Sequence, residues 1–185
     1  MTPLCWMAVA ALWAAPAPDL AAQAKTLEKQ IQAGDWQHAA DTARALESAV
    51  AQKAPLEIVD LEVMTDAPDA LGIYTVPFHN EIRGDSLYVY AQVRNHGIEE
   101  RAGFYYLHLV SDLVVLDAKG HELARDEALG ESYFGARAPH RDTLVVIALR
   151  TKGLAPGEYR LRLILHDRIA KKEASREVTF RIPKP

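Results

Sequence analysis

Histidines and paired carboxylates are the residues of this chain best able to move protons or hold a metal, so their spacing comes first. His79, His96, His108, His121, His140 and His166 are scattered, and none falls at the i, i+4 helical spacing that puts two imidazoles on one face for zinc. His108 and Asp112 could share a strand face, and His121 adjoins Glu122. Imidazoles at unrelated strand positions ordinarily take one backbone bond or face water. The acidic pairs Glu99-Glu100 and Asp126-Glu127 fall in turns or strand edges, where charge serves solubility and edge protection. No G-x-S-x-G elbow and no Walker-type glycine loop is present. The expectation is therefore a non-enzyme, with no catalytic residues, no metal site and no cofactor. Arg83-Gly84-Asp85 spells an integrin-binding tripeptide, but the same residues read as a turn feeding a strand.

Composition agrees with a binding or structural role. The 185 residues carry 25 acids against 21 bases, a net charge of −4, without the basic field that dominates nucleic-acid binding. From Glu158 onward 8 bases face 4 acids; Arg160, Arg162, Arg176 and Arg181 are expected to pair across strands with acids such as Glu57, Asp60 and Glu62.

Residues 1–18 have no charged side chain, and the apolar run from Leu4 to Trp13 ends in Ala14-Ala15-Pro16-Ala17-Pro18. This reads as a secretory leader with an undefined cleavage site, which makes the protein periplasmic or secreted. A membrane association follows only if the leader is retained. Cys5 is the single cysteine, so a cleaved chain has neither disulfides nor thiolate-bound zinc.

Residues 19–54 have a helical period. Leu20, Ala24, Leu27 and Ile31 form one stripe, Gly34 stops that helix, Asp35 caps the next, and Trp36, Ala39, Ala40, Ala43, Leu46 and Val50 form a second stripe. The result is a helical hairpin, and Trp36 is expected to pack on the remainder of the chain. Residues 55–185 change to a period of two: Leu87, Val89, Ala91 and Val93 alternate with polar and aromatic neighbours, as do Tyr159, Leu161, Leu163 and Leu165, and Val178, Phe180 and Ile182. Further strands are expected at 56–64, 71–76, 104–116, 121–129 and 143–149. With no helical crossovers available, about eight strands make an antiparallel two-sheet sandwich.

The most specific local motif is Leu154-Ala155-Pro156-Gly157-Glu158-Tyr159. It resembles the E–F corner of immunoglobulin-like and fibronectin type III-like sandwiches, where a tyrosine hydroxyl bonds to backbone a few residues upstream. From Leu154 to Ile182 the chain is similar to the terminal hairpin of such modules in bacterial exported proteins. The resemblance implies a mainly β, Ig-like sandwich after the helical hairpin, with Tyr159, Pro156 and Gly157 fixing the corner. It implies no activity, since the architecture hosts many.

Tyr88, Tyr90 and Arg94 point to the side of their strand opposite Leu87 and Val89, and form the candidate binding surface, unless the helical hairpin covers them. The function expected is an exported, non-catalytic binding or structural module for an unknown protein or envelope component. The alternative is an accessory module that binds a small molecule or glycan at the sandwich loops.

Overall fold

The computed structural model describes residues 19–184, so the leader segment 1–18 lies outside the described residues. The chain divides into two compact units, one ending at Ala49 and one running from Val50.

In the first unit α1 (Leu20–Gln32) starts where the Asp19 carboxylate accepts the N–H groups of Ala21 at 3.0 Å and Ala22 at 3.2 Å, satisfying donors that the first turn cannot pair internally. Gly34 turns the chain at φ +71°, a conformation that costs glycine little. Asp35 then opens α2 (Trp36–Lys53), whose last turn lies in the second unit, and its carboxylate holds the His38 ring at 2.8 Å. Trp36 is 68% exposed and Ile31 48%. The burial expected for Trp36 is thus not found: as the first residue of its helix it precedes the turn that carries the buried Ala39.

The second unit is mainly β. Among the described residues eight strands form: β1 (Glu57–Met64), β2 (Ser86–Arg94), β3 (Glu99–Arg101), β4 (Phe104–Asp117), β5 (Glu122–Ala136), β6 (Asp142–Arg150), β7 (Gly157–Asp167) and β8 (Lys172–Ile182). Every ladder between them is antiparallel. One sheet has the order β1-β2-β6; in the other β4 pairs with β3 and β5, and β7 and β8 follow. The two sheets make a β-sandwich. Its core holds the inward residues of both, including Val63, Val89 and Leu87 from the first sheet and Leu109, Leu161 and Leu163 from the second, all nearly inaccessible.

The strand expected at 71–76 does not form. Asp66, Pro68, Gly72 and Pro77 break any ladder, and only an isolated bridge joins Ala70 to Ile73. The segment is instead a strap over the outer face of the first sheet. Tyr74 lies against Tyr90 with ring centroids 4.4 Å apart, its hydroxyl donates to Asp60, and the Gly72 N–H donates to the Tyr90 hydroxyl at 2.9 Å. The strap then reaches the edge of β8, where the Ile82 N–H donates to the Arg181 carbonyl at 2.9 Å.

The Leu154–Tyr159 corner lies between β6 and β7. The Tyr159 hydroxyl donates to the Ala155 carbonyl at 2.7 Å, and the ring stacks on Phe180 at 5.4 Å. Pro156 and Gly157 complete the approach to β7, which begins at Gly157. The basic side chains expected to pair with β1 acids take other partners. Arg160 and Arg162 share Glu177 at 3.3 and 2.6 Å, Arg181 faces Glu81 at 3.9 Å, and Arg176 donates to the carbonyls of Ile58 and Val59 at the β1 bulge. The register decides this, because β8 places Glu177 directly opposite Arg162.

Candidate functional site

The three residues expected to form an aromatic strip are not one surface. Tyr90 has no accessible area, Tyr88 is half-buried, and Arg94 is exposed with its Nε donating to Asp142 at 2.8 Å. What removes Tyr90 from solvent is the strap carrying Tyr74, which no strand period reveals. Burial first, then the Asp60 charge, holds the Glu62 carboxyl above its usual range despite Arg176, while the bond to Asp60 pushes the Tyr74 phenol up. This corner is a closed hydrogen-bonded seam.

The exposed aromatic surface is on the other sheet. Arg101-Ala102-Gly103-Phe104 is a tight turn with φ +52° at Ala102 and +73° at Gly103, the two positive values that match a hairpin's twist. It sets β3 beside the start of β4. Across β4, the pairing with β5 puts Gly135 opposite Tyr106 and Tyr133 opposite His108. A Cβ on Gly135 would meet the Tyr106 ring at 2.7 Å, so the absent side chain lets that ring lie over the sheet. Tyr106 and Tyr133 stack at 5.9 Å with planes 18° apart, and Phe104 lies 6.3 Å from Tyr106. Arg101 sits 4.5 Å over the Tyr106 ring and donates to the Tyr133 hydroxyl at 3.0 Å, while Arg137 sits 3.9 Å over Phe104. A guanidinium over an aromatic face is attracted by the ring quadrupole. These contacts fix five large side chains on strands and short turns, and Tyr133 remains 53% exposed.

Beside this platform an open groove of about 650 Å³ is lined by Glu99, His108, Glu131, Tyr133, Arg168 and Ile169. His108 Nε2 and a Glu131 oxygen lie 2.7 Å apart. His108 and Asp112 do share the outer face of β4, yet Asp112 pairs with His166 at 2.8 Å, and the other His166 nitrogen lies 3.1 Å from Glu173. Asp112 also accepts the Ala128 N–H at 2.8 Å, where β5 bulges past β4. Burial opposes ionisation of Asp112 and is outweighed by the Ala128 bond, the His166 contact and Arg125, so its carboxyl is held below the usual range. The two histidine–carboxylate sets therefore tie β4 to its neighbours β5 and β7. Among the described residues no group of three or more His, Cys, Asp or Glu is arranged to hold a metal ion.

Two features of this surface escape a reading by period. β5 was expected to stop at 129 but runs to Ala136, because Gly130 and Gly135 interrupt its alternation without ending its pairing. The platform also joins side chains from three segments. The signal available was local: Phe104-Tyr105-Tyr106 and Tyr133-Phe134 are the densest aromatic runs, each with an arginine within three residues. Of the scattered histidines, His96 is buried and takes one backbone contact. It is 3% exposed, its Nδ1 lies 3.2 Å from the Gly97 carbonyl, and burial pushes its pKa down. Nearby, the Asp167 carboxylate receives the N–H groups of Gly97, Ile169 and Ala170.

No protein-family model matches the chain, and no curated protein matches it. Among solved structures the chain is similar to the alkylpurine DNA glycosylase AlkC of Pseudomonas fluorescens, bound to DNA containing an abasic-site analogue. The identity is 17%, covering 80% of this chain and 39% of that one, with a TM-score of 0.38. A protein described as a β-galactosidase from Bacteroides fragilis matches at 13% identity over 52% of this chain and 14% of its own, with a TM-score of 0.29. A β-glucuronidase of glycoside hydrolase family 2 matches at 13% identity over 55% of this chain and 10% of its own, with a TM-score of 0.30. The chain thus spans well under half the length of each, and likenesses of this size carry no argument about what it does.

Proposed function

We propose that the protein is an exported, non-catalytic binding module of Ig-like, fibronectin type III-like class, whose contact surface is the aromatic–arginine platform of β3, β4 and β5. The class is supported by strand order. Lettering β1, β2, β4, β5, β6, β7 and β8 as A, B, C, C′, E, F and G gives one A-B-E sheet and one C′-C-F-G sheet, the arrangement in which the strand after C joins the C-F-G side. The tyrosine at the E–F corner agrees with it. Export is supported by the apolar, uncharged residues 1–18.

The observation that carries the choice of surface is the stacked Tyr106–Tyr133 pair with Arg101 bonded across it. Tyrosine and arginine are the side chains enriched at binding hot spots, and here their rotamer entropy is already spent before a partner arrives. The imidazoles nearby are engaged between strands, which supports a structural role for them rather than a catalytic one. A protein partner is the first reading. The near-parallel rings, with Glu131, His108 and Arg168 along one margin, favour a glycan as the second, since aromatic faces edged by polar groups suit a sugar ring.

A photo-crosslinking amino acid at position 133, compared with one at the exposed turn residue Lys152, tests the surface in cells that make the protein. The expected result is discrete protein adducts from position 133 alone. Adducts from both positions in equal yield, or from neither together with no binding on a glycan array, would overturn the assignment.

A further inference from the structure

β6 is the outer strand of the β1-β2-β6 sheet, and its second edge pairs with no other strand among the described residues. An open edge offers a row of backbone donors and acceptors to any other strand, and proteins that stay single blunt it with charge, proline or a bulge. The middle of β6 has none of these. Thr143 to Leu149 is uncharged, contains neither Pro nor Gly, and follows β2 without a register break.

The strand's only charges are at its two ends, and they are opposite: Asp142 at the start and Arg150 at the finish. The pairing with β2 puts both on the outer face, together with Leu144, Val146 and Ala148. Arg150 is exposed and Val146 is 38% exposed. If a second β6 runs antiparallel about a two-fold axis at Val146, Asp142 of each copy falls directly opposite Arg150 of the other. Any other two-fold register loses both matches. Within the chain one Asp142 oxygen accepts from Arg94. On the inward side, a cleft of about 190 Å³ lined by residues including Leu113, Leu123, Leu149 and Leu161 opens where the sheets part between β6 and β5. A strand added at β6 would extend the sheet over it.

We propose that the protein self-associates through β6, with two copies joining their three-stranded sheets into one continuous sheet about a two-fold axis at Val146. The interface is isologous and closes at two copies. It uses main-chain bonds for affinity and the Asp142–Arg150 matches for register. It is separate from the aromatic platform, which lies on the other sheet.

The test is sedimentation equilibrium on three forms of the protein: wild type, Arg150→Glu and Asp142→Lys. Wild type should show a concentration-dependent dimer, and each variant alone should lose it, because like charges then meet at both ends. An equal mixture of the two variants should recover a dimer containing one copy of each, since the altered ends are complementary. Amide exchange should slow along β6 in every dimeric sample. A wild type that stays monomeric to its solubility limit, an Arg150→Glu dimer as tight as wild type, or a mixture that stays monomeric would overturn the proposal. Asp142 also holds Arg94, so a variant at 142 that fails to melt cooperatively is replaced by Val146→Lys, which sets two ammonium groups on the axis and must likewise abolish the dimer.

Discussion

Replacing Tyr159 by Phe removes one hydroxyl and leaves the rest of the corner in place. The bond lost is 2.7 Å long, from a ring that is 8% exposed to the carbonyl of Ala155, an exposed residue. Because that carbonyl can turn to water, the variant loses the net value of the bond, about 1 kcal/mol, without the added penalty of an orphaned acceptor. Tyr159→Ala also deletes a ring stacked 5.4 Å from Phe180, which raises the cost to about 3–5 kcal/mol. Equilibrium unfolding in guanidinium chloride, followed by a probe reporting the β-sandwich, separates the two variants. The phenylalanine form should shift the midpoint with an unchanged slope, and the melting temperature should fall by about 3–5 °C for a unit of this size. A Phe variant as stable as wild type would show that the corner does not contribute through its hydroxyl. Equal losses for Phe and Ala would show that the ring contributes nothing beyond it.

Other consequences follow from named groups. Asp112→Ala leaves the Ala128 N–H and the His166 Nε2 without their carboxylate, while His166 Nδ1 keeps Glu173, and should cost about 1–3 kcal/mol in chemical unfolding at neutral pH. Since Asp112 ionises more readily in the fold than in the unfolded chain, its contribution is present above its unfolded pKa and fades as pH falls through the lower folded value, so the gap between variant and wild type should narrow in acid. His96 is held neutral by burial, with its pKa below the unfolded value of 6.5. Its contribution is therefore complete above that value and is lost as pH drops beneath it, by at most about 1.4 kcal/mol per pH unit. His96→Gln should flatten the stability profile in that window, and an unchanged slope would remove His96 as its source. Gly135→Ala should displace the Tyr106 ring from its seat, because the added methyl would lie 2.7 Å from it. The expected readout is weaker partner binding with both tyrosines still present and cooperative unfolding retained.

The sandwich was legible where side chains alternate around one buried face. Leu87 to Val93 and Tyr159 to Leu165 have that period, and each is a central strand with neighbours on both sides. The corner was legible because its turn and its tyrosine are contiguous. Reading failed where the period carries no information about a third layer. Tyr90 alternates like a solvent-facing residue, yet the strap carrying Tyr74 lies over it. In the helical unit, Trp36 has the spacing of a packed residue and is largely open to solvent; amphipathic spacing identifies a stripe but not what, if anything, lies against it. The platform was hidden for a different reason. Its geometry depends on the register between β4 and β5, and a one-residue slip would have turned Tyr133 to the other face.

The central claim is that Tyr106 and Tyr133 form the contact surface. Wild-type protein and the Tyr106→Ala/Tyr133→Ala variant, both shown to unfold cooperatively, should be recovered from the cell envelope and their bound components compared by quantitative mass spectrometry. A hot spot of this kind is worth about 2 kcal/mol or more per residue, so components bound to wild type should be depleted at least ~30-fold on the variant. Identical sets of components at equal abundance would contradict the account and move the contact surface off the second sheet.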